Sequence, residues 1–140
     1  MKPVIVLDCS MAAAMVLPDE AASLAHALHA NFDRFEVVVP ALWVYEFSNT
    51  LAMTVRRNRV SAQKVLAIMS EVDTWEMQID RSAVGTGQLF GIAQAQLITA
   101  YDAAYLELAQ RLGGTLATLD KALTRAAQAL YIPLFEAKKD

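Results

Sequence analysis

Four carboxylates carry the chemistry this sequence offers, and they lie far apart in the chain: Asp8, Glu46, Asp102 and Asp120. Asp8 ends a continuous apolar run, VIVL, and Asp120 stands two residues beyond a second β-rich segment, TLAT at 115–118. Glu46 recurs at helical spacing with Leu42, Asn49 and Met53, which sets a carboxylate and an amide in an otherwise apolar stripe. A charge so placed needs a basic partner or a metal, unless it tilts to the helix flank and stays hydrated. Asp102 follows Thr99 by three residues, the spacing of a capping box, and an acid in a first helical turn also favours the helix dipole. A capping role and a ligand role both stand open for it. Carboxylates with hydroxyl and amide helpers suit magnesium or manganese. Zinc is a poorer match: Cys9 is the single cysteine, and His26 and His29, three apart on an alanine-rich stretch, offer no zinc-ligand spacing and read as a solvated helix face.

For these acids to meet, separate strands must end at one edge. Val4 to Leu7 has the unbroken hydrophobicity of a strand buried on both faces. Ser10 is expected to cap the helix that follows, Pro18 to stop it, and Asp19 and Glu20 to open a second helix reaching about Phe32. Glu36 to Val39 reads as a strand, Pro40 as the start of a long helix toward Arg57, Ser61 as the start of another to about Trp75, and Glu76 to Asp80 as a third strand. A helix with glycines at 85, 87 and 91 loosening its start runs to Leu97, and one opened by Thr99 ends at Gly113 and Gly114. Thr115 to Thr118 is a fourth strand, Asp120 to Leu130 a helix, and Ile132 to Phe135 a short fifth strand. Alternating strands and helices predict an α/β fold, a three-layer α/β/α sandwich on a mostly parallel, roughly five-stranded sheet, because parallel strands need helical crossovers. Ligands in such folds sit at the carboxyl ends of the strands, where Asp8, Asp102 and Asp120 fall.

The 140 residues suit one domain, 1–140, with a core that needs no disulfides. An apolar share of 56% is high and predicts that some apolar surface packs on a partner or an identical copy. Twelve basic and fifteen acidic residues give a net charge of −3, unlike a strongly basic nucleic-acid binder, although a bound cation would cancel part of the acidity. One cysteine fits a reducing cytoplasm. Asp8 breaks the first apolar stretch too early for a signal peptide, and no run has the roughly 18 apolar residues of a membrane helix. A polar tail at Lys138, Lys139 and Asp140 closes the chain.

Other chemistries find less support. A phosphatase using Asp8 as nucleophile lacks its second aspartate, since Ser10 stands there, and a cysteine phosphatase lacks an arginine six residues after Cys9. The GTG at 85–87 has neither the third glycine nor the lysine of a phosphate loop.

Taken in order, LDCS around Asp8, WVYEFSN around Glu46, TAYDAAYLELA around Asp102 and LATLDKAL around Asp120 resemble the PIN-domain family, and within it the VapC-type toxins, from Val4 to Phe135. The resemblance implies that Asp8, Glu46, Asp102 and Asp120 form a Mg²⁺ or Mn²⁺ site for RNA cleavage, supported by Ser10, Asn49 and Thr118. It further implies a cytoplasmic homodimeric endoribonuclease with a cognate antitoxin protein as partner. The alternative is a noncatalytic or degenerate PIN-like or receiver-like interaction module. If RNA is the substrate, Arg56, Arg57, Arg59 and Lys64 are the candidate phosphate contacts, unless they are only a solvated helix end. Trp43, Tyr45 and Trp75 read as core or interface rather than as base-stacking platforms.

Overall fold

The computed structural model describes residues 1–20 and 22–136. In chain order these form β1 (Val4–Leu7), α1 (Cys9–Val16), α2 (Ser23–Ala30), β2 (Glu36–Pro40), α3 (Leu42–Arg56), α4 (Ala62–Val72), β3 (Met77–Asp80), α5 (Thr86–Gln96), α6 (Ala100–Leu112), β4 (Thr115–Ala117) and α7 (Lys121–Ala129), with short 3-10 turns at Pro18–Glu20 and Phe32–Arg34. The fold is α/β, and every strand pair is parallel, in the order β3-β2-β1-β4.

Successive strand residues point to opposite faces, so the complete burial of Ile5, Val6 and Leu7 in β1, and of Val37, Val38 and Val39 in β2, means that both faces of the central sheet are covered. Helix α1 is buried along Met11–Met15, where Ala12, Ala13 and Ala14 allow close packing. It ends at Leu17 because the residue before a proline is driven to extended backbone, φ −89° and ψ 123° here. Helix α6 ends at Gly113 in the left-handed region, φ +60°. At Gly114, just before β4, a Cβ would stand 3.0 Å from Val4 Cγ1 and 3.2 Å from the Val4 carbonyl oxygen, a tight approach to β1 that favours glycine.

Strand β1 lies between β2 and β4, which makes the β1/β4 boundary the place where the strand order reverses. In an open parallel sheet the crevice outside the carboxyl ends of two such strands is the natural binding position. Register pairs Leu7 with Ala117, and the Asp8 amide donates to the Ala117 carbonyl at 3.1 Å, so Asp8 and Thr118 flank the mouth of that crevice.

Several expected elements differ. The described residues contain four strands rather than five. Leu134 forms a single parallel bridge to Leu116, and Pro133, with no amide hydrogen, cannot extend the ladder. Asp8, not Ser10, caps α1. Asp19 and Glu20 lie in a 3-10 turn, and α2 starts later, at Ser23. Pro40 is the last residue of β2, and α3 begins at Leu42. The buried stripe of α3 is Trp43, Phe47, Leu51 and Thr54, so Glu46 is a half-buried residue on the flank and Asn49 is exposed. The Lys138, Lys139 and Asp140 tail lies outside the described residues.

Candidate active site

Asp8 anchors the crevice. Its side chain accepts the Met11 amide at 2.9 Å and so closes the first turn of α1. Ser10 Oγ lies 2.8 and 2.9 Å from its two oxygens, and Thr118 Oγ1 donates to Oδ2. The residue is only 3% exposed. Burial pushes its pKa up to about 6, against the lowering effect of these hydrogen bonds, and the charge of Asp120 adds to the rise.

The same two hydroxyls hold the opposite wall. Ser10 Oγ accepts the Leu119 amide at 2.9 Å and Thr118 Oγ1 accepts the Asp120 amide at 3.0 Å, which ties the β4–α7 turn to the β1–α1 turn. Asp120 then caps α7 by accepting the Leu123 amide at 2.9 Å. Asp8 and Asp120 thus owe their positions to one device: each is the N-cap of the helix that follows its strand.

The other two acids arrive on helices. Asp102 is half-buried in the first turn of α6, and its amide is capped by Thr99 Oγ1 at 3.1 Å. Among the described residues the reciprocal bond of a capping box, from the Thr99 amide to the Asp102 carboxylate, is not made, although the Thr99 hydroxyl still favours the ionised carboxylate. Its pKa is raised by burial, then by the charges of Asp120 and Glu46. Glu46, on α3, accepts a 2.6 Å hydrogen bond from the Tyr105 phenol on α6. Electrostatic coupling therefore runs from Asp8 through Asp120 and Asp102 to Glu46.

None of the four has a basic partner among the described residues. The ion pairs lie elsewhere: Arg59 with Asp19 and Glu20, Arg111 with Asp80 and Glu107, and His29 with Glu71. Acids that raise one another's pKa with no counter-charge beside them make this side of the sheet locally negative.

A sequence model of the PIN domain matches residues 5–129. The chain belongs to the PIN domain family. It is 29% identical over 133 residues to a protein of Pyrobaculum aerophilum named Ribonuclease VapC3, covering 92% of this chain and 98% of that one. Its fold is similar to the crystal structure of PAE2754 from Pyrobaculum aerophilum, with a TM-score of 0.69 and 21% identity over 90% of this chain and 87% of the other. It is also similar to FitAcB from Neisseria gonorrhoeae, with a TM-score of 0.63 and 18% identity over 94% and 96% of the two chains.

The donor chemistry of this PIN domain fits a hard divalent cation: four carboxylates, two of them raised in pKa and none paired, backed by two hydroxyls. Cys9 is no competing soft ligand, because burial pushes its thiol up to about 12. As the side chains stand, no three His, Cys, Asp or Glu among the described residues are close enough together to hold a metal ion. Asp8 and Asp120 each spend an oxygen on a helix cap, and Glu46 spends one on Tyr105.

The remaining sequence candidates divide. Ser10 and Thr118 touch Asp8, whereas Asn49 is exposed and makes no side-chain hydrogen bond to the four acids among the described residues. Arg56, Arg57 and Lys64 are exposed. Arg59 is committed to Asp19 and Glu20, at 2.6 and 2.8 Å, and pins the 3-10 turn after α1. Trp43 is buried and stacks on Phe47 with ring centroids 4.7 Å apart, Trp75 packs on Phe32, and Tyr45 is exposed. Sequence reasoning missed Tyr105. Its signal was its place three residues after Asp102, one helical turn along the same face.

Proposed function

We propose that this PIN domain is a Mg²⁺- or Mn²⁺-dependent endoribonuclease, the toxin of a toxin–antitoxin pair, acting in the cytoplasm. The observation that supports the reading is that Asp8 and Asp120 cap the helices after β1 and β4, at the strand-order reversal, while the charge of Asp120 acts on Asp102 and that of Glu46 on Asp102, with no basic side chain among the described residues paired to any of the four. A relative over nearly the whole chain that bears the name ribonuclease supports RNA as the substrate.

Asp8, Asp102 and Asp120 would hold the ion, and Glu46 would join them directly or through water. When bound, the ion supplies Lewis acidity to the phosphodiester and to the attacking water. Ser10 and Thr118 keep the Asp8 carboxylate in one orientation by donating to it from both sides. Glu46 has Oε1 occupied by Tyr105, which leaves Oε2 to receive a proton from the attacking water. The exposed Arg56, Arg57 and Lys64 are the proposed phosphate contacts.

The competing reading, a noncatalytic module, draws on the distance at which the four acids stand. Exposed apolar side chains such as Val44, Tyr45, Leu66 and Met69 supply surface for a second copy and for an antitoxin. Incubating the purified protein with mixed RNA, with chelator and then with added Mg²⁺ or Mn²⁺, separates the two. Cleavage that stops with chelator and returns with the ion supports the enzyme, and intact RNA under all conditions leaves the module.

A further inference from the structure

Glu46 is the one acid of the four whose backbone no helix cap or strand end fixes in the crevice; it reaches in from the flank of α3. Its side chain is placed instead by Tyr105, 59 residues away, through the 2.6 Å hydrogen bond to Oε1. Tyr105 is 1% exposed, whereas the other three tyrosines, Tyr45, Tyr101 and Tyr131, are all exposed. A buried phenol must find a partner, and this one donates to a carboxylate rather than to the backbone.

The Tyr105 hydroxyl is the donor in this bond, so its proton points at Glu46. The Tyr105 oxygen is then left as acceptor, and Cys9 Sγ lies 3.7 Å from it and 3.8 Å from the Trp43 carbonyl. The thiol donates to the Trp43 carbonyl and is within reach of the Tyr105 oxygen. Three elements meet at this point: α1 through Cys9, α3 through Glu46 and α6 through Tyr105. Tyr105 also lies one turn from Asp102 on α6, so a single helix presents both a site acid and the group that orients another.

We propose that Tyr105 is a positioning residue for the reaction, holding Glu46 by one oxygen so that the other faces the ion site. This rests on the reading of the four acids as a metal site. Loss of the phenol lets the Glu46 side chain rotate toward solvent along the α3 flank, and the site loses the acid that has the least other support. Removing such an orienting partner from a metal ligand typically weakens metal affinity or activity by about 10- to 100-fold.

The test is a double-mutant cycle read by Mn²⁺ binding in the absence of RNA, using wild type, Tyr105→Phe, Glu46→Gln and the double variant, with RNA cleavage followed in parallel. Tyr105→Phe should weaken Mn²⁺ binding about tenfold, and adding it to Glu46→Gln should cause no further loss, because the phenol acts only through that carboxylate. Equal affinity of Tyr105→Phe and wild type, or losses that add in the double variant, would overturn the proposal. Wild type that binds no Mn²⁺ defeats the metal-site reading itself, a result distinct from both. Should Tyr105→Phe not fold, fluorotyrosine-labelled Tyr105 proteins give the same answer by fluorine resonance. The single solvent-shielded signal should shift on adding Mg²⁺ to wild type and not to Glu46→Gln; an unmoved signal in a wild type that binds Mg²⁺ would overturn it.

Discussion

Replacing Asp8 by Asn should stabilise the metal-free protein at neutral pH, the reverse of the usual effect of altering a buried, fully hydrogen-bonded residue. Burial raises the Asp8 pKa from 3.8 to about 6. Holding that carboxylate ionised above pH 6 therefore costs the folded state about 3 kcal/mol, at about 1.4 kcal/mol per tenfold change. Asparagine keeps the shape and the cap to the Met11 amide but presents an NH₂ to Ser10 and Thr118. Both hydroxyls must turn to accept it, at a cost of about 1–2 kcal/mol in hydrogen bonds. The net gain of about 1–2 kcal/mol corresponds to roughly 3–7 °C in Tm for a domain of this size. Because the folded-state pKa is the raised one, wild type should gain stability as the pH falls from 7.5 through 6, and Asp8→Asn should not share that gain. Thermal unfolding in chelator at pH 7.5 and pH 5, followed by circular dichroism, reads both effects. With Mg²⁺ present the order should reverse, since a ligand of the native state raises the Tm of wild type alone. If Asp8→Asn melts several degrees below wild type in chelator at pH 7.5, with parallel pH profiles, the carboxylate is not under electrostatic strain and the reasoning fails.

Leu97 ends α5 in the left-handed region at φ +56° with 83% of its surface exposed; Leu97→Gly should relieve that conformation and raise stability by about 1 kcal/mol in urea unfolding. Gly113→Ala places a Cβ in the same region at the end of α6 and should lower the Tm by about 3 °C. Arg111 holds the buried Glu107 at 2.7 Å and Asp80 at 3.0 Å, but its side chain is 34% exposed, so Arg111→Ala should cost about 1 kcal/mol, solvent screening keeping the loss below that of a fully buried pair. Adding Glu107→Gln should recover part of the loss, and additive losses would show that the pair is not the cause.

The positions of Asp8, Asp102 and Asp120 at helix starts were legible because an element end is a local property. The run VIVL forces a buried strand, and whatever follows it must emerge at the sheet edge; the same holds for TLAT and Asp120. For Glu46 the sequence spacing offered a base, an ion or a hydrated place on the helix flank, and the flank is where it lies, half-buried. Its phenolic partner sits 59 residues away and exists only once α3 and α6 pack. The stripe drawn through Leu42, Glu46 and Asn49 was one position off because Trp43 and Phe47, the larger residues, win the core face. The expected Ser10 cap failed for a related reason: Asp8 is itself a cap former, and Ser10 is better used bracing it. The fifth strand was overread from four apolar residues whose proline removes a ladder donor. The cationic cluster was misjudged at Arg59, because its partners Asp19 and Glu20 lie some 40 residues earlier and only tertiary structure joins them.

Cleavage of a defined RNA by equal amounts of folded wild type and Asp8→Asn, at fixed ionic strength with Mg²⁺, tests the central claim most directly. Wild type should cut the RNA and stop when chelator is added, while Asp8→Asn, folded and at least as stable without metal, should leave the RNA intact. Undiminished cleavage by Asp8→Asn would place the chemistry somewhere other than the crevice between β1 and β4.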